Sequence, residues 1–249
     1  MGAGPGDPEL LTLRAVRAMQ SADVILFDDL VSPQVLDFAR REAKKMLVGK
    51  AGHGPACKQS DINALMVSLA RNGKRVVRLK GGDPMIFGRA SEEIEALAAA
   101  GIPVDIVPGV TAAQGAAAAI GVSLTERGYA RRMQFVTGHA HNGALPDDLD
   151  LAALCDPKAT TAVYMPLGTL ADLMDRLLQA GIDSDRPVAA VFNATRPGQQ
   201  SIAGTVATIV QCIEAAQVEG TCVLLMGEVL KKSMPLDQPE GDAGSSVQL

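Results

Sequence analysis

The stretch Val76-Val77-Arg78-Leu79-Lys80-Gly81-Gly82-Asp83-Pro84-Met85-Ile86-Phe87-Gly88-Arg89 constrains the fold of this chain more than any other. Its opening is apolar and β-branched, which suits a short strand buried in a parallel sheet. That strand cannot continue. Gly81 and Gly82 lack the Cβ that forbids positive φ or close approach, and Pro84 fixes φ and removes a backbone donor. The turn they make presents Asp83 just beyond the carboxyl end of the strand, where open α/β sheets place their ligands. An ordinary tight turn would use the same residues, so other segments must distinguish the two.

Residues 24–27 repeat the pattern and end at Asp28-Asp29, which is either a functional carboxylate pair or a solvated loop. Ser32-Pro33 then reads as N-cap and first residue of a helix. Helical spacing marks residues 10–22, with Asp7 and Glu9 at the positive end, and a helix capped by Ser60 or Asp61 that runs to Ala70. Another starts at Ser91 and stops at Gly101. Residues 44–48 and 102–107 read as strands. The latter enters Pro108-Gly109-Val110-Thr111, where a hydroxyl and the free amides of a helix beginning at Ala112 would face one another's ligand space. This alternation predicts a parallel sheet with right-handed crossovers. The loop Gly2-Ala3-Gly4-Pro5-Gly6-Asp7 is of the kind that follows a strand, yet no strand precedes it, so one sheet position is expected to stand unfilled.

Glu126, Arg127, Arg131 and Arg132 break the apolar rhythm and mark a linker. The division expected is an N-terminal α/β domain at residues 1–123, a C-terminal α/β domain at 132–232 and a disordered tail at 233–249, rich in Pro, Gly, Asp and Ser. In the second domain, residues 133–137, 160–165, 188–192 and 221–226 read as strands, and 170–178 and 206–215 as helices. His139 and His141 could ligate a metal, but no third ligand follows at suitable spacing, so no metal site is expected.

With 249 residues, 47% of them apolar, the chain can bury one large core or two small ones. A net charge of -5 lacks the positive field of a nucleic-acid binder, and the absence of Trp removes the best stacking platform. Cys57, Cys155, Cys212 and Cys222 are scattered, which fits a reducing cytoplasm rather than a disulfide or zinc framework. No run is long and apolar enough for a membrane span.

Taken in order, Gly2 to Asp7, Asp28 to Ser32, Val48-Gly49-Lys50, Arg78 to Pro84, Val107-Pro108-Gly109-Val110-Thr111, Thr137-Gly138-His139 and Val163-Tyr164-Met165 resemble the tetrapyrrole methylases. The likeness covers nearly everything from Gly2 to about Leu230 and is greatest to members that act on uroporphyrinogen III. It implies two α/β domains with S-adenosyl-L-methionine in the cleft between them, a homodimer, and methylation of C2 and C7 to give precorrin-2, with S-adenosyl-L-homocysteine as by-product. By motif position, Pro5, Gly81, Gly82, Asp83, Ile86, Thr111, Ala112, Met165 and Ala194 would hold the cofactor. Asp28 and Lys50 would be proton acceptor and donor. Ile86 and Met165 also suit simple core packing at a strand end. An octacarboxylate substrate calls for local cations, and Lys50, Arg89, Arg127, Arg131 and Arg132 are candidates, with exposed surface charge as the alternative for each arginine. The chain departs from the family at Ala51, Met85, Ala90, Ser91 and Glu126, where Arg, Phe, Gly, Gly and His are common. Two other functions fit the same motifs: methylation of another precorrin, or cofactor binding without catalysis. No dehydrogenase or chelatase segment precedes Met1, so methyl transfer is the only activity expected.

Overall fold

The computed structural model describes residues 1–49, 57–140 and 143–232. The expected tail at 233–249, His141 and Lys50 lie outside the described residues.

The N-terminal sheet holds β1 (Val24–Phe27), β2 (Lys44–Leu47) and β3 (Val76–Leu79), all parallel, in the order β2-β1-β3. Val24 pairs with Val76 and Phe27 with Leu79, so β1 and β3 end level. Asp28 and Lys80 therefore leave the sheet side by side. α1 (Leu13–Ser21) starts later than the periodicity predicts, because Asp7 first caps a 3-10 turn at Pro8–Leu10 and Thr12 then caps the α-helix through Ala15 N–H (3.1 Å). After Ser32 the expected helix is only a 3-10 helix, Pro33–Phe38; the Ser32 hydroxyl bonds the Gln34 side chain instead of capping the backbone. α2 (Gln59–Arg71) buries Ile62 and Met66, and α3 (Ala90–Ala99) ends before Gly101 at φ +72°.

Residues 102–107 are not a strand of this sheet. Gly2 N–H reaches Val107 O (2.9 Å), and Met1 and Ala3 exchange main-chain bonds with Arg78 and Lys80, so the chain start lies between β3 and this segment only at their carboxyl ends. Behind it a cavity of about 590 Å³ separates Val76 and Val77 from Ile102 and Val104. With no strand beside it among the described residues, this apolar β-branched segment has no ladder to join.

The C-terminal sheet has the order β4-β5-β8-β6-β7, from β4 (Arg132–Thr137), β5 (Ala159–Tyr164), β6 (Pro187–Phe192), β7 (Gln200–Thr205) and β8 (Cys222–Met226). Only β4 and β5 are parallel. On one face α5 (Leu151–Cys155), α6 (Leu170–Gln179) and α7 (Ile209–Ala216) bury Leu173, Leu177 and Ile209 against Phe192, Leu224 and Met226. The other face is covered by α4 (Ala112–Ala119), whose Ala113, Ala116 and Ala117 pack on Ala162, Ala189, Val223 and Leu225. The helix assigned above to the first domain thus joins the core of the second sheet, since small side chains let it lie close to the strands.

Candidate functional site: a cleft at the ends of β1 and β3

The cleft has a volume of about 300 Å³ and is walled by Pro5, Asp28, Gly81, Gly82, Asp83, Ile86, Arg89, Thr111, Ala112 and Met165. Residues far apart in sequence meet here because β1 and β3 end at the same level and α4 begins opposite them. Gly81 is required by contact: a Cβ would stand 2.7 Å from Leu30 Cβ. Gly82 is required by conformation, at φ +65°. Phe87, Arg89 and Met165 adopt positive φ without being glycine, and all three line the cleft. Such backbone costs about 1 kcal/mol or more at each residue and is typical of functional sites.

Asp83 is less available than its position suggests. One carboxylate oxygen accepts Met85 N–H (2.8 Å) and the other Gly109 N–H (2.9 Å), tying the loop after β3 to the loop before α4. The start of α4 is likewise not a bare amide cluster. Thr111 N–H donates to the Gln114 side chain (3.2 Å), Ala113 N–H to the Tyr164 hydroxyl (3.2 Å), and that hydroxyl is also hydrogen-bonded to Thr111 Oγ1. The Tyr164 ring packs against Phe87 (centroids 5.0 Å apart) and Phe135 (5.8 Å). Sequence reasoning assigned Tyr164 no role, because its value lies in contacts across more than fifty residues.

Gln59, Arg78 and Lys80 line the cleft and meet behind it at Glu93, which faces the cavity beside β3. Glu93 Oε1 accepts from Lys80 Nζ (2.9 Å), Arg78 Nε (3.0 Å) and Gln59 Nε2 (3.1 Å). Burial pushes the Glu93 carboxyl up, but Lys80 and Arg78 outweigh it and hold it below the ordinary range. Burial, helped by the charge of Arg78, lowers Lys80. Arg78 also stands 3.7 Å from Asp28. Burial pushes Asp28 above the usual carboxylate range, against the opposing pull of Arg78 and Lys80. A carboxylate so raised, with its other oxygen accepting Leu30 N–H (3.2 Å), is suited to proton transfer. Asp29 is exposed, as a solvated neighbour would be.

Of the residues singled out from sequence, Ala194 is not in the wall; it is buried in the core beside α4. Met165 is half exposed and faces the cleft, so it is not core packing. Arg89 lines the cleft but forks onto Glu92 (2.7 and 2.8 Å), since the helix it precedes begins with acidic residues. Arg127 and Arg131 line a separate depression with Glu126, and Arg132 pairs with Asp156 at the start of β4. The linker charges therefore do not meet the cleft. Sequence reasoning missed Glu93 and Arg196, the latter reaching the cleft from the loop after β6.

The profile of the Tetrapyrrole (Corrin/Porphyrin) Methylases matches residues 1–210. The chain belongs to this family. A siroheme synthase of Chromobacterium violaceum is 45% identical over 249 residues, 100% of this chain and 53% of that protein. One from Azotobacter vinelandii is 48% identical over 231 residues, 93% of this chain and 49% of that protein. The chain spans about half the length of the curated relatives it matches. Among solved structures, uroporphyrin-III C-methyl transferase of Thermus thermophilus complexed with S-adenyl homocysteine is 37% identical, with a TM-score of 0.78 over 93% of this chain and 97% of that one. A cobalt precorrin-4 methyltransferase of cobalamin biosynthesis has a TM-score of 0.81 and 30% identity over 92% of this chain and 94% of that one. No described helix of this chain is long and apolar enough to cross a membrane.

Proposed function

We infer that the chain transfers methyl groups from S-adenosyl-L-methionine to C2 and C7 of uroporphyrinogen III, giving precorrin-2 for sirohaem or cobalamin synthesis. The observation that carries this reading is the meeting of the Gly81 to Pro84 loop, Thr111, Ala112 and Met165 in one cleft with Asp28 at its edge. The fit to the cofactor rests on that wall. Glycine backbone permits close approach, and Pro5, Ile86, Ala112 and Met165 offer apolar surface.

When bound, the cofactor supplies a methyl group already activated on a sulfonium. The protein then has chiefly to orient a pyrrole carbon in line with it and exclude water. Forming the new carbon–carbon bond leaves the macrocycle with a proton to lose. Asp28 accepts it, its basicity raised by burial against the opposing pull of Arg78 and Lys80. Lys50 serves as proton donor on the strength of the resemblance alone. Ala194 and Arg127 take no side-chain part in this scheme, while Arg89 flanks the cleft. We further propose that the enzyme works as a homodimer in the cytoplasm.

The likeness to the cobalt precorrin-4 methyltransferase favours one competing reading, a later precorrin as acceptor. Anaerobic methyl transfer from labelled S-adenosyl-L-methionine to uroporphyrinogen III, with product mass recorded, separates the two. Two added methyl groups are expected. No transfer, with S-adenosyl-L-homocysteine still bound, overturns the assignment in favour of another precorrin, and unchanged turnover in Asp28→Ala removes Asp28 from the chemistry.

A further inference from the structure

The cations around the cleft are unevenly committed. Arg78 and Lys80 share Glu93, and Arg89 is forked onto Glu92, so each meets a carboxylate of the protein itself. Arg196 differs. Among the described residues no carboxylate stands within ion-pair distance of it; Asp28 and Asp29 attract it only from farther away. Its guanidinium is held by two main-chain carbonyls, Nε donating to Pro5 O (3.1 Å) and a terminal amino group to Leu30 O. Carbonyls fix orientation without cancelling charge. The stem is fixed too, because it packs where a side chain on Gly6 would be: a Cβ there would fall 2.2 Å from Arg196 Cγ.

Position makes this charge useful. Arg196 and Asp28 line both the cleft and a second depression of about 500 Å³ beside it, walled also by Phe27, Ser32, Gln34 and Pro197. A molecule in that depression would touch Arg196 and Asp28 together.

We propose that Arg196 is a substrate-anchoring residue, which receives a carboxylate of the methyl acceptor and holds the macrocycle in the depression next to Asp28. The proposal rests on the reading of the acceptor as a polycarboxylate tetrapyrrole. A half-buried guanidinium in a preset orientation forms charge-assisted, two-pronged bonds to a carboxylate, and among the described residues none of the protein's own carboxylates reaches ion-pair distance of it, Asp28 and Asp29 standing farther off in the same depression.

The test compares the parent protein with Arg196→Gln and Arg196→Lys. Measured are KM and kcat with uroporphyrinogen III, the Kd of S-adenosyl-L-homocysteine, the thermal midpoint, and the Kd of uroporphyrin III as a non-reacting octacarboxylate. In Arg196→Gln, KM and the uroporphyrin III Kd are expected to rise about tenfold, the loss of one charged hydrogen-bond pair. The homocysteine Kd and the thermal midpoint shift by clearly less, through the lost bonds to Pro5 and Leu30, and Arg196→Lys recovers part of the loss. Unchanged KM and uroporphyrin III affinity overturn the proposal, as does a parallel loss of cofactor affinity and thermal midpoint, which would make Arg196 only a clasp between loops. Should the parent protein fail to methylate uroporphyrinogen III, the proposed function falls, while the anchor still stands or falls on whether Arg196→Gln weakens uroporphyrin III binding.

Discussion

β8 and β3 are strands of similar length in very different circumstances. β8 lies between β5 and β6 and is buried at all five positions. β3 has β1 on one side and, on the other, among the described residues, only the start of the chain at its carboxyl end. Val76, Val77 and Arg78 are half-buried, and Leu79 alone is fully enclosed. The strand with the weaker surroundings is the one that carries the site. Its loop spends its packing on close approach, left-handed backbone and buried charge, all of which oppose stability, whereas the C-terminal sheet concentrates apolar burial and provides the rigid wall against which those loops are held.

The largest effect expected from this contrast is in the C-terminal core. Leu224→Ala should cost about 3 to 4 kcal/mol in urea unfolding, against about 1 kcal/mol for Val77→Ala, where the side chain is only partly buried. Equal losses would break the comparison. Next comes Glu93→Gln, which leaves Lys80 and Arg78 facing each other without their anion and should cost about 3 kcal/mol. Its pH dependence has a defined sign. The folded carboxyl lies below its ordinary value, so its stabilisation is full above the unfolded pKa and disappears as pH falls through the folded one. Urea midpoints of Glu93→Gln should therefore fall less steeply than the parent's as the solution is acidified.

A smaller change of opposite sign probes the cavity beside β3. Joining about four apolar, β-branched residues ahead of Met1, enough at the rise of a strand to run along β3, should add about 1 to 2 kcal/mol by covering Val104 and Ile106. Amide exchange at Val76 and Val77 should slow in step; no gain would show that the cavity does not accept a strand. The smallest effect is expected for Tyr164→Phe, about 1 kcal/mol, since the ring contacts persist while Thr111 and Ala113 lose their hydroxyl partner. A weaker affinity for S-adenosyl-L-homocysteine in that variant would tie the hydroxyl to the cleft as well as to the core.

Much of this organisation is legible in short stretches of sequence. β1, β3, β5, β6 and β8 announce themselves as β-branched or apolar runs, and Gly101 marks the end of α3. β7 does not, because Gln200-Ser201-Ile202-Ala203-Gly204-Thr205 has no such pattern and owes its order to the hairpin with β6. Residues 102–107 err in the other direction: they have strand composition, yet among the described residues they pair with no strand and meet the chain start only at Val107. The site divides in the same way. Gly81, Gly82, Thr111 and Asp28 could be chosen from sequence because a strand end, a turn and a helix start are local events.

Which charges serve the cleft could not be read locally. The linker arginines have the right chemistry and lie elsewhere, Arg89 is neutralised by the helix it introduces, and Arg196 meets Pro5 across a separation of 191 residues. The sequence by itself determined where strands stop and where backbone is free to approach a ligand, since steric limits on φ and ψ act within a residue or two. Tertiary structure decided which carboxylates hold which cations and, among the described residues of the cleft wall, that Arg196 has none within ion-pair distance, because ion pairing depends on distance and burial between segments that only the completed fold brings together.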